Sequence, residues 1–367
     1  MKIYIYSITF KNLAEEGGGG KSTNITIKYL RKQGHHVFPF YSAKELKKKI
    51  KEEKPDLILH HNIVNMVKIY NISKKYKIPF IPTINGLFTC GKGTHILYSY
   101  YGIPCFKCSL TGIIRCTLKG HYKMPFPFFQ LLKFLLTSPY RYYRIKRRIN
   151  VLNKSAAVIA IGKTLKKILQ TNNVKNKIYV VPQPIDDDIL KKPKIKEKER
   201  IGEEEKKILF TNGFDTTKGI LPLLDAFSEL NRDDTELIIT GRIYPIIKKI
   251  KPQKNVKILG EVSYEKLKKL YYSSDILAYP TLLFEPFGRA WAEGALTGLP
   301  IIAFKDRGGP ADYPNYLVNL DKEELKKEIN ILLDNKKTKN KMNEISKKEF
   351  LADNVVKKLI KIYKEAK

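Results

Sequence analysis

Short apolar runs recur along the chain, and amphipathic or charged stretches separate them. In the first half the runs are Lys2–Ile8, Val37–Phe40, Pro55–Leu59, Ile78–Leu87, Ala156–Ile161 and Ile178–Val181. In the second half they are Ile208–Gly213, Leu237–Thr240, Val256–Gly260, Ile276–Tyr279, Ile301–Phe304 and Leu317–Leu320. Near-continuous apolar runs of this length suit strands buried on both faces of a parallel sheet. Between them, Ser22–Gln33 before Gly34, Lys44–Lys54, Leu221–Leu230 and Ser263–Tyr272 read as helices. Another helix starts near Phe287 and Gly288 and stops at Gly298, with Pro300 as breaker. Two Lys/Glu-rich helices are expected to close the chain. The fold class is therefore α/β.

Length makes this two domains, since 367 residues can build two cores. The expected division is 1–184, a linker over 185–206, and 207–345, with 346–367 as a terminal helix. Apolar content of 43% is ordinary. The chain starts directly with a strand, MKIYIYSI, so no signal peptide is expected. No run reaches the ~18 uncharged apolar residues of a spanning helix. A cytoplasmic protein is the expectation.

Charge changes the picture. The chain carries 69 Lys and Arg against 36 Asp and Glu, net +33. No acidic residue occurs from Leu57 to Ile185. A basic excess fits nucleic acid, an anionic membrane surface or a phosphorylated substrate. A Lys- and Ile-rich genome accounts for part of the lysine, but not for the loss of acids from one half.

The densest chemistry lies in Asp275–Tyr313, read as strand, loop, helix, strand and turn. Glu285 precedes the helix and Glu293 lies inside it. Gly288 at the helix start lets a phosphate approach backbone N–H groups. The stretch suits an elongated ligand: a sugar near Glu285, a diphosphate at Gly288 and Arg289, a ribose near Glu293. The plain alternative is one ordinary βαβ unit with two surface glutamates.

Glu285-Pro-Phe287-Gly288 with Glu293, Gly298-Leu-Pro and Gly308-Gly309 resembles the E-x7-E signature of the retaining glycosyltransferase family four. That resemblance implies a GT-B arrangement, two Rossmann-like domains with parallel sheets facing a cleft. It implies sugar transfer from a nucleotide-sugar donor to a glycan or lipid-linked acceptor, with retention and without a metal. Glu285, Lys218 and His61 are the implied catalytic residues. Gly288, Arg289, Glu293, Phe287, Gly213, Gly18, Gly19 and Asn85 are the implied donor-binding ones.

Other segments extend the likeness. The glycines before Ser22, with Gly34-His35-His36-Val37, resemble the family's GG…GHxV opening. Pro55–His61 resembles PDVVHAH, and a histidine pair at a strand's C-terminal end sits where open α/β sheets bind ligands. A lone histidine is more often structural. Asn85 stands where the family commonly has a His, and it cannot shuttle a proton. TNGFDTTKG resembles GRLxxxKG, with Lys218 and Gly219 matching and Phe214 read at the Arg place. Pro182–Asp186 resembles the PNGVD crossing, and the last helix is implied to pack back on the first domain.

Three features compete. EGGGGKST suggests a phosphate loop, but Glu15 stands where its first glycine belongs, and no apolar strand ending in Asp follows. Asp186–Asp188 opens a charged connection rather than ending a buried strand, which argues against manganese. Cys90, Cys105, Cys108 and Cys116, near His95 and His121, leave structural zinc, disulfides and free thiols open. Finally, Met124–Asn150 mixes Phe and Leu with Arg141, Arg144, Lys146, Arg147 and Arg148. This suits an anionic bilayer, peripheral on the inner face of the membrane. It also suits stacking on RNA, or a core helix with a basic end. The expectation is the enzyme at a membrane, with no nucleic-acid partner. The alternatives are an impaired GT-B scaffold and a basic nucleic-acid-binding protein or ATPase.

Overall fold

The computed structural model describes residues 1–8, 18–91, 102–123, 127–194, 205–243, 254–335 and 341–367. These fall into two units, Met1–Pro184 with Ala352–Lys367, and Ile185–Leu351.

The first unit carries β1 (Lys2–Tyr6), α1 (Gly18–Lys32), β2 (His36–Phe40), α2 (Ala43–Glu52), β3 (Leu57–His61), α3 (Met66–Tyr76) and β4 (Phe80–Ile84). It continues with α4 (Leu110–Lys123), α5 (Phe128–Leu136), α6 (Ser138–Asn153), β5 (Val158–Ala160), α7 (Lys163–Thr171) and β6 (Ile178–Val180). The second unit carries β7 (Lys206–Phe210), α8 (Ile220–Ser228), β8 (Thr235–Thr240), β9 (Val256–Gly260), α9 (Tyr264–Ser273) and β10 (Ile276–Tyr279). After these come α10 (Arg289–Leu296), β11 (Ile301–Phe304), β12 (Tyr316–Val318), α11 (Lys322–Asp334) and α12 (Lys341–Phe350). The last helix, α13 (Ala352–Glu365), belongs to the first unit.

Each unit holds a six-stranded sheet, ordered β2-β1-β3-β4-β5-β6 and β12-β11-β10-β7-β8-β9. Every pairing is parallel, so each strand returns through a crossover. The sequence pattern reflects this: all five positions of β3 are buried.

In the first core, Ile3, Ile5, Leu57, Leu59 and Ile159 of the sheet meet Ile27 and Leu30 of α1 and Val355, Val356 and Leu359 of α13. Gln33 Nε2 to Asp353 (3.1 Å) and the Tyr179 hydroxyl to Glu365 (2.7 Å) pin α13 at two places. In the second unit, Phe287, Trp291, Tyr313 and Phe350 pack as tilted and edge-on ring pairs, tying α10 to α12.

Several expectations change. The glycines expected as a loop form, from Gly18, the first turn of α1. Ser22 Oγ donates to Gly18 O (2.8 Å) and Thr23 Oγ1 to Gly19 O (2.9 Å), closing that turn. Gly17, Glu15 and Glu16 lie outside the described residues. The expected linker begins as ordered structure of the second unit: Ile185 and Ile189 are fully buried. Asp188 pairs with Lys268 (3.1 Å) and Lys191 (3.1 Å). Residues 195–204 lie outside the described residues. The C-terminal stretch forms three helices instead of two, and Met124–Asn150 divides. Pro139 lacks the N–H that would continue the ladder, so α5 gives way to α6 at Thr137. The α3, α4 and α7 helices have no counterpart in the sequence reading.

Candidate functional site

In the second unit, the exit of β10 and the turn before α8 meet because two glycines permit it. Asp215 accepts from Thr217 N (2.9 Å) and Thr217 Oγ1 (2.6 Å), closing the short turn that ends in Lys218. Gly219 follows at φ +85°, and a Cβ there would lie 1.7 Å from the Pro280 carbonyl oxygen. Only glycine fits. Lys218 is thereby held beside Glu285, its Nζ donating to Oε2 at 2.6 Å. The Tyr279 hydroxyl donates to the same oxygen at 3.3 Å. The Glu285 backbone N–H is fixed by the Arg307 carbonyl (2.7 Å). Burial, then the Glu285 charge, pushes the Tyr279 phenol well up, so it remains a donor.

Gly288 caps α10 at φ +81° without a side-chain cap. A Cβ there would crowd Tyr279 Oη, Trp291 and Glu285. One turn further in, Arg289 Nε donates to Glu293 Oε1 at 2.7 Å, and the Tyr271 hydroxyl donates to Oε2 at 3.2 Å. The Arg289 and Glu293 side chains are only 11% and 7% exposed. Arg289, expected near a diphosphate, and Glu293, expected near a ribose, are thus bonded to each other in this structure. Each is buried and bonded to the other, because the i,i+4 spacing stacks them on one helix face. Phe287, also expected at the donor, has a ring that is 1% exposed and packs on Trp291 and Phe350.

The GRLxxxKG match needs a shift in register. Its Arg stands five residues before its Lys, which here is Gly213 and not Phe214. Phe214 is a core residue, 2% exposed. Gly213 sits at φ +62°, where a Cβ would lie 2.4 Å from the Arg242 carbonyl oxygen. No side chain fits there. Arg242 is exposed beside it, and its carbonyl accepts from Phe214 N (3.0 Å).

In the first unit, a cavity of about 30 Å³ is lined by Gly19, Thr23, His61, Thr83, Asn85 and Gln183, among others. His61 is 9% exposed. Its Nδ1 lies 3.1 Å from Thr23 Oγ1. That hydroxyl's one proton goes to Gly19 O, so His61 Nδ1 donates and Nε2 carries the lone pair. Among the described residues, His61 Nε2 is buried without a hydrogen-bond partner. Burial, reinforced by His60, lowers the His61 pKa to about 4, so the ring is neutral near pH 7. Burial also lowers His60 to about 4. His60 is structural, donating from Nε2 to Val64 O (2.9 Å) and stacking on Tyr6. Asn85 Nδ2 lies within 3.4 Å of where a Gly19 Cβ would stand. The structure therefore gathers Gly19, His61 and Asn85, with Gly18 one residue ahead, at the start of α1.

The four cysteines are free and half-buried. Burial raises the Cys108 thiol to about 11 and also raises Cys105, and the other thiols add to both shifts. Among the described residues no group of His, Cys, Asp or Glu is arranged to hold a metal ion. None of them supplies a donor set for the expected zinc, and the His121 side chain is not among those described. His95 lies outside the described residues.

Tyr279, Tyr271 and Thr23 escaped sequence reasoning. Tyr279 had one signal, its place as the last residue of a buried strand. The other two had none.

Two family models match: "Glycosyltransferase Family 4" over residues 14–189 and "Glycosyl transferases group 1" over residues 191–349. An uncharacterized glycosyltransferase of Methanocaldococcus jannaschii is 30% identical over 165 residues, which is 41% of this chain and 42% of that relative. The match thus spans under half of the relative. Among solved structures, sucrose-phosphate synthase of Thermosynechococcus elongatus has a TM-score of 0.71 at 15% identity, covering 99% of this chain and 98% of that one. Anabaena HepE in complex with UDP and glucose has a TM-score of 0.66 at 16% identity, covering 98% of each chain. A glycosyltransferase of Rickettsia africae has a TM-score of 0.69 at 20% identity, covering 100% of this chain and 98% of that one. At these identities the likeness establishes the fold, GT-B.

Proposed function

Because the chain belongs to the group-1, family-four glycosyltransferases, we propose that it moves a sugar from a nucleotide-sugar donor to an acceptor hydroxyl, with retention and without a metal. The donor belongs to the second unit and the acceptor to the first. The observation that carries this reading is the Lys218–Glu285 pair beside the start of α10, with Tyr279 on the same carboxylate oxygen. Lys218 is the counter-ion for a diphosphate, and Glu285 an acceptor for sugar hydroxyls. Without donor they satisfy each other, so donor binding exchanges one pairing for two.

Charge builds on the diphosphate as the glycosidic bond breaks through an oxocarbenium-like state. Lys218 and the backbone N–H groups at Gly288 stabilise it electrostatically. Arg289 and Tyr271 hold Glu293 in one orientation, toward the ribose. HepE, crystallised with UDP and with UDP-glucose, makes a UDP-sugar the first donor to try. The His61 Nε2 lone pair is an acceptor for a hydroxyl, which suits a glycan or lipid-linked acceptor and a protein working at an anionic membrane surface.

Gly213 favours a second reading, a catalytically impaired scaffold, since no side chain there supplies the family's second cation. The test incubates the protein with UDP-, GDP- and ADP-sugars and follows sugar release or transfer. Turnover of one donor, unchanged by a metal chelator and lost in Lys218→Met, supports the enzyme. Binding without turnover supports the scaffold. Turnover of ATP alone overturns both.

A further inference from the structure

Seven of the nine α5 residues are apolar, interrupted only by Gln130 and Lys133, yet the helix buries no residue. Leu131, Phe134 and Leu135 are half-buried. Phe128, Phe129, Leu132 and Leu136 are 76%, 74%, 44% and 72% exposed. Their spacing places them on one face. Few soluble surfaces leave such a row of large apolar side chains in water.

The row continues into α6. Thr137 N donates to Lys133 O (3.0 Å) and Arg141 N to Thr137 O (2.9 Å), so helical bonding crosses the break at Pro139. At successive turns Leu136 is followed by Tyr140, then Tyr143 and Arg144, then Arg147. Tyr140 and Tyr143 are 60% and 55% exposed. Arg144 lies over the Tyr140 ring (5.7 Å) and Arg147 over the Tyr143 ring (5.7 Å). Here α6 and α3 enclose a groove of about 380 Å³, lined by Lys68, Arg144, Arg147, Arg148 and the two tyrosines. Burial, and to a lesser extent the nearby Arg144, lowers the pKa of the Arg148 guanidinium. No carboxylate is among the described residues that line this groove.

We propose that α5 and the α3–α6 groove form one docking surface for an anionic phospholipid bilayer. The exposed face of α5 lies among the acyl chains, Tyr140 and Tyr143 lie at the interface, and the groove takes a phosphate headgroup. Apolar, then aromatic, then cationic is the order a leaflet presents from inside out. Among the described residues no helix is long and apolar enough to cross a membrane, so this contact is peripheral. The inference rests on the proposed function only in that a lipid-linked acceptor gives the surface a purpose.

Vesicle sedimentation tests it without donor or acceptor, so its failure is separate from failure of the transferase reading. The full chain is mixed with phosphatidylcholine vesicles, with or without 30% phosphatidylglycerol. Binding to the anionic vesicles should be at least about tenfold tighter and should fall with added salt. Phe128→Ser with Phe129→Ser should lose binding on both vesicle types, and Arg144→Gln with Arg147→Gln only the anionic preference. All four positions are solvent-exposed, and unchanged circular-dichroism melts would confirm folding. Equal binding to both vesicle types, binding untouched by both variant pairs, or no binding at low salt overturns the proposal. So does preferential binding to RNA, or a dimer that the Phe128→Ser with Phe129→Ser variant dissolves.

Discussion

In Ile185–Leu351 the polar side chains of the site are already bonded to one another, Lys218 to Glu285 and Arg289 to Glu293. Among the described residues of the first unit, His61 Nε2 is buried with no partner, and the α3–α6 groove gathers cations with no carboxylate. On the proposed function, a ligand of mixed charge takes over both halves of a pair in the second unit. The first unit then takes a neutral hydroxyl at one place and an anion at another. A nucleotide sugar and a hydroxyl-bearing acceptor at an anionic surface have those characters. The two pairs also differ in exposure: Arg289 and Glu293 are buried inside α10, and Lys218 and Glu285 are partly exposed, as the proposed exchange with a donor requires.

Acid should distinguish the two units most strongly. All six histidines precede residue 122, so none lies in the second unit. His60 and His61 have folded pKa values of about 4, below the ordinary 6.5. Between those values the unfolded chain binds more protons. Their contribution is complete above pH 6.5 and falls as pH drops toward 4, by up to about 3 kcal/mol for each. Hydrogen exchange across this window should open β3 and its neighbours before β7–β12, and His60→Phe should shrink the effect.

Next in size is Arg289→Leu, which leaves Glu293 buried without its cation and should cost about 3–5 kcal/mol by urea unfolding. Adding Glu293→Leu should recover most of that stability without recovering donor binding.

Lys218→Met removes the proposed diphosphate counter-ion from a pair 28% and 16% exposed. Turnover should fall by about 10²-fold or more, while the melting temperature moves little.

The smallest effect belongs to Thr23→Val, nearly isosteric at a buried site. It removes the oxygen that fixes the His61 tautomer, costing roughly 1 kcal/mol in kcat/KM for acceptor and leaving donor hydrolysis unchanged.

Much of this was legible because parallel strands buried on both faces write near-continuous apolar runs. The Glu285 to Glu293 spacing and Lys218-Gly219 also stood out. What stayed hidden depends on neighbours distant in sequence. Phe287 reads as a ligand contact until Phe350, 63 residues later, closes over it. The Gly213 register was obscured by its resemblance to the motif's own glycine, and only its contact with Arg242 explains the bare backbone. Arg289 and Glu293 carried an i,i+4 signal that the ligand reading overrode. The exposed face of α5 could not be told from a core face, because periodicity reveals that a helix is apolar and not what covers it.

The most direct measurement is thermal stabilisation by UDP-, GDP- and ADP-sugars, on the unaltered protein and on Lys218→Met. We expect one nucleotide to raise the melting temperature of the former and to lose that effect on the latter. Stabilisation by no nucleotide sugar, or an equal shift in both proteins, would contradict the assignment of the donor to the Lys218–Glu285 pair.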